Sequence, residues 1–239
     1  MIGGITLKGT TQAHDAYLIA LQRGEKEPFT AELFARSVRE SATVIDGGSY
    51  LGFYALLAAR RVGPEGTVFA FEPNPEMFEA LRRNVHENGF DDRVITLPAG
   101  LGDVRGQRTF YICGGDASKS SLFEPERLRE ATVAECMSLD EGLGARPVDV
   151  VKLDIEGGEV DALRGMRKTL ASSPDPTLIV ECNPTVLARA GKSARTLLRE
   201  LDAAGLAVEA IDDERWELRP VDEALAEADG HVNLYCRRA

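Results

Sequence analysis

From Thr43 onward, the apolar positions alternate between short near-continuous runs and longer stretches with an apolar residue every three or four places. That alternation is the signature of repeated βαβ units. Ala42–Asp46 predicts a buried strand, Gly52–Arg61 the helix after it, Thr67–Glu72 a second strand, Pro75–Asn88 a second helix and Arg93–Ala99 a third strand. The rhythm then changes. Gly102–Arg108 sets Gly and Asp between two β-prone runs, which reads as a hairpin inserted into the repeat. Val148–Asp154 (VDVVKLD) is apolar enough for a strand covered on both faces, and a helix is predicted over Glu159–Leu170, stopped by Pro174–Pro176. Leu178–Glu181 makes a fifth strand, Ala194–Ala204 a helix closed by Gly205, and His231–Arg237 a terminal strand. The expected fold is α/β, a doubly wound and mostly parallel sheet. Before it, MIGGITLKG fits a short strand and Asp15–Gln22 and Thr30–Glu40 fit helices. Residues 1–40 are read as an N-terminal cap, and residues 41–239 as the ligand-binding domain. Thr30, followed by Leu33, lacks the acidic partner of a capping box.

Composition narrows the function. With 239 residues, 44% of them hydrophobic, the chain can bury a sizeable core. Its formal charge of −11, from 39 acidic and 28 basic residues, repels a phosphate backbone, so nucleic acid is not the expected partner. No apolar stretch approaches the roughly 18–20 residues needed to span a bilayer. The opening residues lack the basic and apolar regions of a secretory signal, so a cytoplasmic location is expected. Cys113, Cys136, Cys182 and Cys236 are scattered without C-x-x-C spacing and read as buried free thiols. There is no internal repeat.

In an open α/β sheet the ligand sits beyond the carboxyl ends of the strands, so the strand ends carry the chemistry. The first strand runs out through VIDGGSYLG, where Gly47, Gly48 and Gly52 surround a turn leading straight into a helix. A dinucleotide fingerprint needs Gly at the first, third and sixth places, and the third is Ser49. Asp46, just before the turn, opposes a pyrophosphate but suits a cationic cofactor. The second strand ends in FEPNP, placing Glu72 and Pro73 where an acid accepts ribose hydroxyls. Ala99 and Gly100, at the third strand end, complete the candidate cofactor-binding set. The strongest block is VVKLDIEGGEVDALRGM, with Asp154, Glu156 and Glu159 within six residues at a buried strand end. Such acids are costly unless they bind or catalyse. Lys152, inside the same strand, reads as the partner of one of them in an internal ion pair.

The series VIDGGSYLGFYALLAA, VFAFEPNP, KLDIEGGEVDALRG, LIVECNP and NLYCRR resembles, in content and order, the FkbM methyltransferase family. The resemblance spans roughly Thr43 to Arg238 and rests on motif order. It implies a class I S-adenosylmethionine-dependent methyltransferase fold, a seven-stranded sheet with its last strand antiparallel. The implied activity is O-methylation of a hydroxyl on a sugar, small molecule or natural product. It places the cofactor on Asp46, Gly48, Gly52, Glu72, Asp154 and Glu156. The chain departs from the family where an Ala-Asn pair is common in the glycine loop, having Ser49 and Tyr50 instead.

For such a reaction positioning supplies much of the rate, and the acceptor alcohol must lose a proton to a base. Glu156 is the first choice as base, with Asp154, nearer the sheet, holding the cofactor's methionine end and Glu181 as a third candidate. Asp154, Glu181 and Asn183 at adjacent strand ends resemble in kind an oxygen-ligand set for Mg²⁺, the less favoured alternative to a metal-free site. The polar loop Asp116–Ser121 (DASKSS) is a candidate cover for the acceptor site, though it also fits a solvated loop. His14, Trp216 and His231 read as structural, with His14 a base only if the N-terminal segment folds over the pocket. The competing readings are a nicotinamide-dependent oxidoreductase, a catalytically inactive nucleotide-binding module and an RNA methyltransferase. A homodimer is compatible with the sequence.

Overall fold

The computed structural model describes residues 4–10, 12–114, 116–227 and 230–238. The first half runs α1 (Gln12–Arg23), α2 (Pro28–Ser37), β1 (Thr43–Gly47), α3 (Phe53–Val62), β2 (Thr67–Phe71), α4 (Pro75–Glu87) and β3 (Val94–Leu97). A second sheet follows from β4 (Ala99–Leu101), β5 (Gly106–Cys113) and β6 (Leu128–Met137), with a 3-10 turn at Ala117–Lys119 between the last two. The chain then forms α5 (Leu139–Gly142), β7 (Val150–Leu153), α6 (Glu159–Arg164), α7 (Arg167–Ser172), β8 (Thr177–Cys182) and α8 (Pro184–Arg189). It finishes with α9 (Ala194–Ala203), β9 (Leu206–Asp212), β10 (Glu217–Arg219), α10 (Val221–Glu227) and β11 (Val232–Arg238).

The main sheet has eight strands in the order β10-β9-β11-β8-β7-β1-β2-β3. β3, β2, β1, β7 and β8 are parallel neighbours, and β11 is antiparallel to both β8 and β9. Seven of these strands match the expected sheet, including its antiparallel strand. The eighth, β10, adds an antiparallel edge on β9. Because side chains alternate across a strand, each central strand feeds two cores. Ile45, Val151, Leu153 and Val180 face a core completed by α6, α7 and α9, while Val44, Val68, Val150 and Ile179 face one completed by α2, α3 and α4. Residues before β1 join the second core: Ile5, Leu21, Leu33 and Phe34 are buried in it.

Three boundaries differ from the expectation. The predicted strand Arg93–Ala99 splits at Pro98, which has no N–H to give, and β4 leaves to pair in parallel with β6. The predicted hairpin at Gly102–Arg108 is not one. The strands on either side of that turn, β4 and β5, are separated by β6, and the antiparallel pair is β5 with β6. The helix expected over Glu159–Leu170 breaks in two at Gly165, where an added Cβ would sit 1.9 Å from the Gly102 carbonyl oxygen. The freed Gly165 carbonyl accepts bonds from the Asp140 N–H and the Ser138 hydroxyl, both at 2.9 Å.

The N-terminal segment is held by side chains standing in for a sheet. Asn84 of α4 and Asn88 at its C-terminal cap each accept a backbone N–H and donate to a carbonyl between Thr6 and Lys8, at 2.7 to 3.0 Å. Helix α2 lacks a local cap, as its sequence indicates, because Glu27 at its start is left-handed (φ 48) and gives no side-chain cap. Asp213 supplies one from 184 residues away. Its carboxylate accepts the Phe29 and Thr30 N–H groups at 2.8 and 2.9 Å and the Thr30 hydroxyl at 2.7 Å. All four cysteines are buried and free. Asp213→Ala is expected to cost about 1–2 kcal/mol, read as a lower urea midpoint with unchanged slope; an unmoved midpoint refutes the long-range cap.

Candidate active site

The chain runs outward from β1 to β3 and returns to β7 on the other side of β1, so the strand order reverses between β1 and β7. Ligands gather at such a switch point. Here the two strand ends nearly touch: an added Cβ on Gly48 would lie 1.9 Å from the Asp154 carbonyl oxygen. The turn continues through Tyr50, also at positive φ (51°), a region that costs an ordinary residue roughly 1–2 kcal/mol but suits Asn. Tyr50 is held in this conformation by contacts of its own. Its N–H donates to Glu72 Oε2 at 2.8 Å, and its ring meets His14 and Tyr17 edge-on.

Two connected cavities open here. A narrow cleft is walled by Gly48, Tyr50, Glu72, Pro73, Gly100 and Ile155, with Ala117, Ser118 and Leu122 over it. Glu72 is buried, its Oε1 accepting the Asn74 N–H at 2.8 Å, and burial pushes its carboxyl up to about 7. The larger cavity, about 880 Å³, takes in Asp46, Ser49, Lys152, Asp154, Glu156, Glu181, Asn183 and His231, with Glu27 and Tyr54 from the N-terminal side. Asp46 is wholly buried, and its Oδ2 has no hydrogen-bond partner. Burial lifts its carboxyl to about 6, against hydrogen bonding from Ser49 and the charge of Lys152. A buried carboxylate oxygen without a partner, beside a second acid at a strand end, is the acceptor set that a nucleoside with a cationic tail satisfies.

Asp154, Glu156 and Glu181 bring carboxylate oxygens within 4.8 Å of one another. Lys152 is fully buried below them. Its Nζ lies 3.4 Å from Asp154 Oδ2, 3.3 Å from Asn233 Oδ1 and 5.2 Å from the centre of the Tyr54 ring. Desolvation works against that charge, but Asp154, Glu27, Glu181 and Asp46 together raise its pKa. Burial, with Asp154 and Glu159 nearby, pushes Glu156 up to about 8. Burial and the charges of Asp154, Glu156 and Glu159 take Glu181 well above the usual carboxylate range.

Several expected site residues have other work. Glu159 turns back on its own loop and accepts the Ile155 and Gly157 N–H groups at 3.1 to 3.2 Å, so the third acid of the cluster is Glu181. Gly52 starts α3 and faces Leu81, and Ala99 packs in the core beneath the cleft. Asn183 lines the large cavity, and its Oδ1 accepts the Val186 N–H at 3.3 Å as the cap of α8. Ser49 lines the cavity while its hydroxyl donates to the Asp46 carbonyl at 2.9 Å. His14 is buried with Nδ1 accepting the Thr10 N–H, and Trp216 is half exposed against Phe29. The loop Asp116–Lys119 does line the cavity, and Ser121 ties it to the acid cluster by donating to the Glu156 carbonyl at 2.6 Å. Glu27, Lys26, Tyr17 and Tyr54 reach the site from α1, α3 and the α1–α2 connection, with no motif to announce them.

Strand order, glycine turn and paired acids define a class I S-adenosylmethionine-dependent methyltransferase. Residues 46–206 match the Methyltransferase FkbM domain, and the chain belongs to that family. It is 29% identical over 175 residues to the hexuronic acid methyltransferase AglP of Haloferax volcanii, covering 72% of this chain and 69% of that protein. It is 32% identical over 143 residues to the 31-O-demethyl-FK506 methyltransferase FkbM of Streptomyces tacrolimicus, covering 57% and 53%. The crystal structure of methyltransferase FkbM from Methylobacillus flagellatus superposes with a TM-score of 0.50 at 15% identity, over 95% of this chain and 55% of that one. Among the described residues no helix is long and apolar enough to cross a membrane.

Glu156 ties stability to pH. Below about 4.5 it is protonated folded and unfolded; between there and about 8 only the unfolded chain gives up the proton, so stability falls as pH rises. Glu156→Gln is therefore expected to leave the melting temperature at pH 4.5 unchanged and to raise it at pH 8.5. An equal shift at both would show that its carboxyl is not held neutral.

Proposed function

We propose that the protein methylates a hydroxyl oxygen of a sugar or similar polyhydroxylated small molecule, in the cytoplasm and without a metal. The observation that carries this reading is the convergence of Asp154, Glu156 and Glu181 on the wall of the large cavity, next to the cleft that fits the cofactor's nucleoside. Carboxyl groups this close suit neighbouring hydroxyls, which both donate and accept. The named substrates of the two relatives, a hexuronic acid and the natural product 31-O-demethyl-FK506, support the same class. The net charge of −11 weighs against a nucleic acid acceptor. When bound, S-adenosylmethionine supplies the methyl group on a sulfonium centre.

The chain's own groups divide the remaining work. Glu72 accepts the ribose hydroxyls with the lone pairs its two backbone bonds leave free, and Asp46 meets the cationic end. Gly48, Pro73 and Gly100 form the cleft walls. Asp154, charge-paired with Lys152, orients the methionine end and the acceptor. Neutralisation of Asp154 by a buried ammonium removes much of the pull on a divalent cation. Glu156, pushed up to about 8, and Glu181, raised well above the usual carboxylate range, bind the acceptor through hydrogen bonds; Glu156 serves as base only above about pH 8.

Calorimetry is expected to show saturable binding of S-adenosylmethionine and S-adenosylhomocysteine but not NAD, weakened about 10–100-fold in Asp46→Ala and Glu72→Ala. NAD binding alone would overturn the cofactor assignment. With uronic acid glycosides, neutral glycosides, amines and transcribed RNA offered as acceptors, product analysis is expected to find O-methyl sugar, undiminished after exhaustive chelation. Methyl found only on nitrogen or RNA would overturn the hydroxyl reading, and loss on chelation the metal-free one.

A further inference from the structure

His231, just ahead of β11, brings an imidazole into the wall of the large cavity, where sequence pattern alone gave it a structural role. Its two nitrogens face carboxyl groups from distant parts of the chain. Nε2 lies 3.6 Å from Glu27 Oε1, and Nδ1 lies 3.9 Å from Glu181 Oε1.

The two acids differ in how they are held. Glu27 is 10% exposed and fixed from behind: the Tyr54 hydroxyl donates to its Oε2 at 3.0 Å, and Lys26 Nζ to its Oε1 at 3.0 Å. Although burial alone would raise its carboxyl, His231, Lys152 and Lys26 drive it far below the usual range, so it is an anion. Glu181 is equally buried but stands among Asp154, Glu156 and Glu159, so burial first and their charges next push its carboxyl well above the usual range. An anion beside Nε2 draws the ring proton to that nitrogen and leaves Nδ1 bare toward the acceptor side. The 3.9 Å between Nδ1 and Glu181 Oε1, like the 3.6 Å between Nε2 and Glu27 Oε1, is too long for a hydrogen bond, so Glu27 acts on the ring through its charge. An oxygen atom about 2.8 Å from each of Nδ1 and Glu181 Oε1 would stand about 2 Å off the line joining them, in the cavity that both residues line.

We propose that His231 is the general base of the methyl transfer, its Nε2–H oriented by Glu27 and its bare Nδ1 taking the proton of an acceptor hydroxyl seated between it and Glu181. The inference rests on the hydroxyl-acceptor reading above. As the oxygen attacks, a lone pair forms the new O–CH₃ bond, and the C–S bond breaks with its electron pair going to sulfur. The O–H bond breaks with its pair returning to oxygen, and the proton ends on Nδ1. The resulting imidazolium is stabilised by Glu27 and loses its extra proton to solvent through the side chain's 39% exposure.

The tautomer tests the orientation without any acceptor. Nitrogen-15 NMR of the histidine side chains, with His231→Gln assigning the resonance, is expected to show Nε2–H and bare Nδ1, and Glu27→Gln to turn this into a mixture of tautomers. A protonated Nδ1 in the native chain, or a tautomer indifferent to Glu27→Gln, overturns the proposal. On any hydroxyl acceptor that the native enzyme methylates, His231→Ala and His231→Gln are expected to lower kcat about 100-fold with S-adenosylmethionine affinity unchanged by calorimetry. Added imidazole should restore part of the rate to His231→Ala alone; a loss confined to KM, or no rescue, overturns the base. If the native enzyme methylates none of the hydroxyl acceptors, the hydroxyl reading falls and the base falls with it, while the tautomer still decides separately whether Glu27 orients His231.

Discussion

The ammonium of Lys152 lies where carboxyl groups from four parts of the chain converge, and the arrangement at the mouth of the sheet follows from the need to keep that charge satisfied without water. Asp154 Oδ2 and Asn233 Oδ1 stand within 3.4 Å of Nζ, and the Tyr54 ring lies across it at 5.2 Å. Leaving a buried ammonium without such partners costs several kcal/mol. Tyr54 is placed by its bond to Glu27, so the cation recruits the α1–α2 connection as well as the two strands beside it. A lysine at this position also divides the acids into two kinds. Asp154 and Glu27 are matched by positive charge, while burial and the neighbouring acids raise Glu156 and Glu181 above the usual carboxylate range.

Much of this was legible in the sequence because strand-end chemistry is written next to its strand. VDVVKLD names a doubly covered strand and its two unusual residues, and VIDGGSYLG and FEPNP put Asp46 and Glu72 at neighbouring ends. Lys152 was read as an internal ion-pair partner and is one. The errors fall where a residue's role depends on a contact across the chain. Glu159 looks like a site acid because it stands five residues from Asp154, but the loop between β7 and α6 supplies the Ile155 and Gly157 N–H groups that claim its carboxylate. Glu181 takes its place only because β8 lies beside β7.

The least legible residues are those whose surroundings look ordinary. Glu27 sits in Gly-Glu-Lys-Glu-Pro, a run that reads as a solvated turn, and His231 is a lone histidine before a strand. Neither has a spacing that points at the other. The small sheet was misread for a related reason: a Gly- and Asp-rich turn predicts that the chain reverses, not which strand will later slip between its arms.

The cap on α2 joins residues 184 positions apart, and the Glu27–His231 contact joins still more distant ones. Contacts of such sequence separation are slow to form, because loop closure precedes any gain from them. During synthesis, β1, β2 and the glycine turn leave the ribosome long before the strands that finish the acceptor wall. A nascent chain can hence assemble its cofactor cleft while the wall beside it has no imidazole. With His231 as the base, the group that takes the proton enters only as the chain reaches β11.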